Sequence, residues 1–299
     1  MKSKIILICG PTCTGKTNLS IFLAKKLDAE IINADATYIY REPSIATAKI
    51  TNEEMKNIPH HMIDIISLNE DYSIYNYQKE ARIILNNLID QNKNIIIIGG
   101  SGLYIKALLY DYELEDSQPF KIDLSSYTNK ELKQIADKID ENNNIHENNR
   151  QRLERYISHN QATGKTIKNT ENRNNKLYNF ISIGLTSDRE TLYEKINNRV
   201  ETMFNNGLLE EATSLKQQNL KNFTKIIGYK ELNEYLSGQI SLEEAKEKIK
   251  QNTRHYAKRQ LTWFNNQMKD ITWFNVNYDN FNETCKEIYN HIEKNYQTR

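Results

Sequence analysis

Lys4-Ile-Ile-Leu-Ile-Cys-Gly-Pro-Thr-Cys-Thr-Gly-Lys-Thr17 is the stretch on which the fold turns. Its first six residues form a β-branched run with the length of a buried strand. The next eight have the spacing G-x-x-x-x-G-K-[ST], and an amphipathic stretch, Lys16 to Leu27, follows directly. Strand, glycine loop and helix in that order make a P-loop. Glycines let the backbone wrap closely, so the amides of Gly10, Pro11-flanked Thr12, Cys13, Thr14 and Gly15 and the helix N-terminus face anionic oxygens. Lys16 reaches the terminal phosphates and the Thr17 hydroxyl is a candidate Mg²⁺ ligand. A second match, Thr163-Gly-Lys-Thr166, has His159 where the first glycine belongs and no strand before it, and reads as a loop.

Outward from this segment the same rhythm continues. Strand-like runs at Ile31 to Ala34, His61 to Ile66 and Asn94 to Ile98 alternate with amphipathic stretches at Tyr75 to Gln91 and Leu103 to Tyr110. That is the pattern of an α/β protein with a parallel sheet flanked by helices. Strand signal then vanishes, and helical patterns near Lys130 to Asp140 and Asn148 to His159 mark a small all-α insertion. Asn179 to Leu185 restores the core, with a last strand expected at Ile271 to Phe274 and a terminal helix after it. The expected division is a discontinuous catalytic core, 1–111 and 177–299, around a helical insertion, 112–176.

The chain has 299 residues, 40 basic and 39 acidic, so its net charge of +1 neither demands nor excludes a nucleic-acid partner. No apolar run is long enough to span a membrane, the opening strand is too short for a signal segment, and a cytoplasmic location is expected. Three cysteines, Cys9, Cys13 and Cys285, lack zinc-site spacing and read as reduced.

Ligands of open parallel sheets sit beyond the carboxyl ends of the strands. There the sequence offers Asp35, Ser101 and the pair His60 and His61. Position alone leaves Asp35 open between a helix cap, a ligand to a Mg²⁺-bound water and a general base, and favours Ser101 as a helix N-cap and the histidines as structural. Basic residues cluster locally: Arg150, Arg152 and Arg155 with Lys165 and Lys168, then Arg254, Lys258 and Arg259 beside Tyr256 and Trp263. Such faces suit an RNA backbone and unstacked bases, or simply solvent.

Taken together, the motifs resemble the bacterial tRNA dimethylallyltransferases over nearly the whole chain. The matches, in the family's order, are the P-loop, Asp35 with Tyr40, Thr47-Ala-Lys49, Pro59-His-His with Ile63-Asp64, and Gly99-Gly-Ser-Gly-Leu-Tyr104. They continue with Gln151-Arg-Leu-Glu-Arg155, Gly164-Lys165, Arg199 with Met203, Gly228-Tyr-Lys-Glu231, Thr253-Arg, Tyr256-Ala-Lys-Arg-Gln260 and Thr262-Trp-Phe264. The resemblance implies transfer of a dimethylallyl group from its diphosphate to the exocyclic amine of the adenosine 3′ of the anticodon. It makes the P-loop, Arg199 and Mg²⁺ a clamp on the leaving diphosphate, and Asp35 and Ser101 the catalytic pair. It also implies tRNA contacts from Asp35, Ala36, Thr37, Tyr38 and Ser101, and from Gln151, Arg152, Leu153, Glu154 and Arg155 in the insertion. Later contacts would come from Lys225, Gly228, Tyr229, Lys230, Lys258, Arg259 and Gln260. The expected partners are the tRNA anticodon stem-loop and dimethylallyl diphosphate, with no membrane, for a monomer.

The chain departs from the family's usual pattern at Ala36 for serine, Tyr38 for glutamine, Ser101 for threonine, Ala46 for glycine, Asn149 for aspartate and Asn265 for arginine. The segment Glu113 to Leu124 looks shortened. Competing readings are an adenylate isopentenyltransferase acting on free AMP, a catalytically silent RNA-binding P-loop protein and a generic P-loop kinase.

Overall fold

The computed structural model describes residues 3–112, 114, 122–167 and 175–297. Lys168 and most of the stretch 113–121, singled out above, lie outside the described residues. Among the described residues six parallel strands stand in the order β3-β2-β4-β1-β5-β6. They are β1 (Ile5–Cys9), β2 (Ala29–Asn33), β3 (His60–His61), β4 (Asn94–Gly99), β5 (Ile181–Thr186) and β6 (Thr272–Asn275). The central strands are almost continuous isoleucine, because helices cover both faces and leave no side for polar residues. Register aligns Cys9 with Gly99 on one side and with Gly184 on the other, and Asn33 with Ile98. Gly10, Asp35 and Ser101 therefore leave the sheet at one edge.

Of the expected strand His61 to Ile66 only His61 joins the sheet, in a two-residue strand with His60 before it. Met62 and Asp64 adopt positive φ of 63° and 56°, which turns the chain out of the ladder, and Ile66 returns only as a single bridge to Tyr40. Helices α1 (Lys16–Leu27), α2 (Asn52–Met55), α3 (Ile74–Asp90) and α4 (Gly102–Leu109) fill the first half. In the second half α7 (Arg189–Asn205), α8 (Leu208–Gln217), α9 (Tyr229–Leu236), the long α10 (Leu242–Gln267) and α11 (Phe281–Gln297) follow the intervening pair α5 (Asn129–Ile139) and α6 (Arg150–Thr163). Leu19, Leu23, Ile183, Phe274, Ile288 and Ile292 join α1 and α11 to the sheet in one apolar core. Val200, Leu208, Phe223, Tyr229 and Ile249 make a second core.

The chain forms two compact units, one of residues 1–109 and 176–299 and the other of residues 110–175. The junctions fall one or two residues from those read in the sequence, because Asp111 binds Asn175 through backbone and side chain (3.0 and 2.8 Å) and so belongs with the insertion. The smaller unit has its own core of Leu132, Ala136, Ile145, Leu153, Tyr156 and Ile157. Among the described residues no helix is long and apolar enough to cross a membrane. All three cysteines are free.

Candidate active site

Gly10 opens the loop at φ 134°, and a Cβ there would stand 2.3 Å from the Leu185 carbonyl, so only glycine fits. Thr14 Oγ1 donates to the Pro11 carbonyl (2.9 Å), which pins the loop from within. Gly15, at φ 78°, passes the chain into α1, whose first turn has neither a side-chain cap nor an acidic residue. The helix N-terminal amides are thus left for an external anion. Lys16 Nζ donates to the Pro11 carbonyl (2.6 Å). Loss of solvation pulls its ammonium down to about 8, against the upward effect of Asp35 and Cys13.

Helix α7 sends Arg199 to the same loop, with Nη1 donating to Thr12 Oγ1 (3.2 Å) and Nη2 to the Thr47 carbonyl (3.4 Å). Gln260, buried on α10, accepts from the Thr12 amide (3.0 Å) and donates to the Gly100 carbonyl (3.1 Å). It ties the P-loop to the loop after β4.

Asp35 is held by its neighbour Asn33, whose side chain accepts from the Asp35 amide and donates to the Asp35 and Met62 carbonyls (2.9–3.0 Å). One carboxylate oxygen, Oδ1, accepts from the Thr37 amide and hydroxyl (3.0 and 2.8 Å). Among the described residues Oδ2 has no hydrogen bond. The Ser101 carbonyl begins α4, as an N-cap carbonyl does, but its hydroxyl accepts from the Ala36 amide (3.0 Å) instead of capping the helix. Tyr38 donates to the Ala48 carbonyl (2.7 Å), and burial pushes its phenol above the ordinary range.

One cavity of about 580 Å³ is lined by residues 12–17 of the P-loop, Asp35 to Tyr38, Ser101, Arg199, Lys225, Gly228, Arg259 and Gln260. Thr253 and Tyr256 line it too, and neither was assigned a site role from sequence. Their spacing with Ile249 and Gln260 is the signal available, because residues three and four apart share a helix face. Glu211 was missed altogether. Its carboxylate accepts from the amides of Ser44, Ile45 and Ala46 and from Tyr229 Oη, shaping the loop that carries Thr47. Nothing in the sequence marks it.

Several expected RNA contacts need correcting. Tyr229 is fully buried, stacked on Phe223 with ring centroids 5.0 Å apart, and Leu153 is fully buried in the smaller unit's core, so neither side chain presents to a ligand. Arg150 belongs to the insertion's own structure, bonding the Leu124 and Tyr127 carbonyls (2.8 Å each) and Glu154 (2.7 Å). Gln151, Arg152 and Arg155 are exposed on α6, as are Lys230 and Lys258 elsewhere. Lys258 lines a separate groove on α10 with Trp263 and Arg259. The histidines have structural partners: His60 bonds the Ile58 carbonyl and His61 bonds Glu30 (2.8 Å each).

A P-loop α/β protein whose anion cradle opens onto a carboxylate and a hydroxyl, within one mostly apolar cavity, is built for group transfer from a phosphorylated donor. Comparison with known proteins makes the class particular. Residues 38–267 match the family described as IPP transferase. The tRNA dimethylallyltransferases of Bacillus subtilis and Anoxybacillus flavithermus are 42% and 41% identical, with 97% and 98% of this chain and 97% of each relative covered. A crystal structure of a tRNA delta(2)-isopentenylpyrophosphate transferase from Staphylococcus epidermidis superposes with a TM-score of 0.74 at 39% identity, covering 98% of this chain and all of that one. A eukaryotic dimethylallyltransferase acting on tRNA gives 0.76 at 27% identity over 91% of this chain and 74% of that one. The chain belongs to the tRNA dimethylallyltransferase family.

Proposed function

We propose that the protein transfers the dimethylallyl group of dimethylallyl diphosphate to the exocyclic amine, N6, of the adenosine 3′-adjacent to the anticodon in tRNA. The observation that carries this reading is that the anion cradle and the Asp35–Ser101 pair line one cavity. In the transfer, the C1–O bond of the donor breaks with its electron pair leaving on the diphosphate. The N6 lone pair forms the new bond to C1, and the N6 proton passes to the free oxygen of Asp35. An aromatic amine is a poor nucleophile, so holding it by Asp35 and Ser101 at the attacking distance matters as much as basicity. Lys16, Arg199 and the α1 amides neutralise charge as it develops on the leaving group.

Mg²⁺ fits this donor set. The Thr17 hydroxyl lines the cavity with no hydrogen-bond partner among the described residues, and no group of three or more His, Cys, Asp or Glu exists there to hold a metal by itself. An ion that keeps its waters and binds through one protein oxygen plus substrate phosphates suits such a site. When bound it withdraws charge from the diphosphate oxygens.

The tRNA anticodon stem-loop is proposed to meet the exposed Gln151, Arg152 and Arg155 of the insertion and Lys225 and Arg259 at the cavity. The target base would be extruded from its stack to reach Asp35. Acting on tRNA, the protein works in the cytoplasm, and one chain supplies every group named.

Radiolabelled dimethylallyl diphosphate, offered with Mg²⁺ to unmodified bulk tRNA and in parallel to AMP, tests the reading. Label in tRNA alone is expected. Label in AMP would make the protein a nucleotide prenyltransferase, and label in neither would refute prenyl transfer.

A further inference from the structure

The cavity is lined by both polar and apolar side chains, and α7 supplies some of each. Ile196, Arg199, Val200 and Met203 stand at intervals of three and four, and all four line the cavity. Arg199 belongs to the polar lining, and its guanidinium bonds the P-loop. Met203 lies four residues on, about 6 Å farther along the helix at ~1.5 Å per residue. Around it the wall is Val200, Leu208, Ile226 and Ile249, members of one apolar cluster, with Ala46 packed against it. Leu208, Ile226 and Ile249 are 0%, 3% and 2% exposed, so they are anchored in the core behind the wall.

A dimethylallyl chain has four carbons in its longest run, which extend about 4 Å at ~1.5 Å per bond and need roughly 2 Å more for the terminal methyl's own radius. Donor length and helical rise therefore match. With the diphosphate on Arg199 and the tail running along α7, the end of a five-carbon chain would reach the level of Met203, whereas a geranyl tail would overrun it by several ångströms. We infer that Met203, backed by Leu208, is the floor of the donor site and restricts the protein to five-carbon allylic diphosphates. Methionine suits the place, because its unbranched thioether fills an irregular gap beside rigid aliphatic neighbours.

The inference rests on the proposed prenyl transfer. It leaves the chemistry unchanged: C1–O breaks with its pair to the diphosphate, N6–C1 forms and the proton goes to Asp35, whatever the length of the tail.

The test measures kcat/KM for dimethylallyl and geranyl diphosphate with unmodified tRNA, for the unaltered chain, Met203→Ala and Met203→Trp. Met203→Ala should narrow the preference for the shorter donor by roughly tenfold or more, chiefly through KM for geranyl diphosphate. Met203→Trp should lose dimethylallyl transfer by a similar factor while inorganic diphosphate still binds with unchanged affinity, which separates a blocked tail site from a collapsed cradle. A narrowing of less than threefold in Met203→Ala would overturn the inference even though the unaltered chain prenylates tRNA. Inactivity of the unaltered chain with both donors would remove the proposed function itself, and this inference with it.

Discussion

The tripeptide Gly-Lys-Thr occurs twice, at residues 15–17 and 164–166, and the two copies do opposite things. Both glycines adopt left-handed backbone, at φ 78° and 68°. Gly15 precedes α1, so its lysine and threonine enter a helix whose amides face an incoming anion. Gly164 follows α6, its amide bonding the Asn160 carbonyl, so Lys165 trails from the carbonyl end of a helix dipole. The same residues open an uncapped helix in one place and close a helix in the other. What distinguishes them is the strand before the first copy and the side of the helix on which each one falls.

Lys16→Ala should produce the widest gap between the copies. It is expected to lower kcat/KM for the donor by about a hundred- to a thousandfold, as loss of a charge-stabilising group does, whereas Lys165→Ala leaves donor kinetics within twofold. Steady-state kinetics with dimethylallyl diphosphate would read both, and a matching loss in Lys165→Ala would erase the distinction.

Gly15→Ala comes next. A Cβ there would stand 2.6 Å from the Phe281 ring, on top of the positive φ, so a loss of about 2–4 kcal/mol in chemical denaturation is expected. The insertion's surface should respond more mildly. Changing the exposed Arg152 and Arg155 together to Ala should weaken tRNA binding and flatten its log–log salt dependence by about 1.5, as two phosphate contacts are lost. An unaltered slope would move the RNA away from α6.

Lys16 also sets a pH dependence that Lys165 does not share. Binding a diphosphate calls for the charged ammonium, so donor affinity should fall about tenfold per unit as pH rises above 8. Between about 8 and 10.5 an unfolded chain keeps the proton that folded Lys16 has lost, so this group's effect on stability grows more favourable with rising pH. Replacing Lys16 by Met should abolish both trends. The smallest effect belongs to Gly164→Ala. Nothing lies within 4 Å of the added Cβ, which leaves only a left-handed backbone cost of about 1 kcal/mol.

The placement of the candidate site residues is legible in the sequence wherever they follow a strand. The P-loop, Asp35 and Ser101 each sit one or two residues past a β-branched run, and parallel register brings such positions to one edge. Side chains arriving from helices were harder to place. Tyr229 reads as an aromatic beside two lysines, Lys225 and Lys230, yet it is sealed against Phe223 and Glu211. Arg150 reads as part of a basic face, yet it closes the insertion's own loop through two carbonyls. Thr253 and Tyr256 reach the cavity because α10 passes beside the P-loop, a crossing that no local pattern in α10 encodes.

Local chemistry explains this division. Glycine spacing, β-branched runs and helix caps act over a few residues, so the sequence by itself determined the parallel α/β core, the anion cradle and the place of Asp35. Tertiary structure alone decided which charged and aromatic helix residues face the cavity and which are spent on packing. That choice depends on how helices far apart in the chain bury their apolar faces, as when Glu211 gathers three amides of the 44–46 segment and the hydroxyl of Tyr229 around one carboxylate.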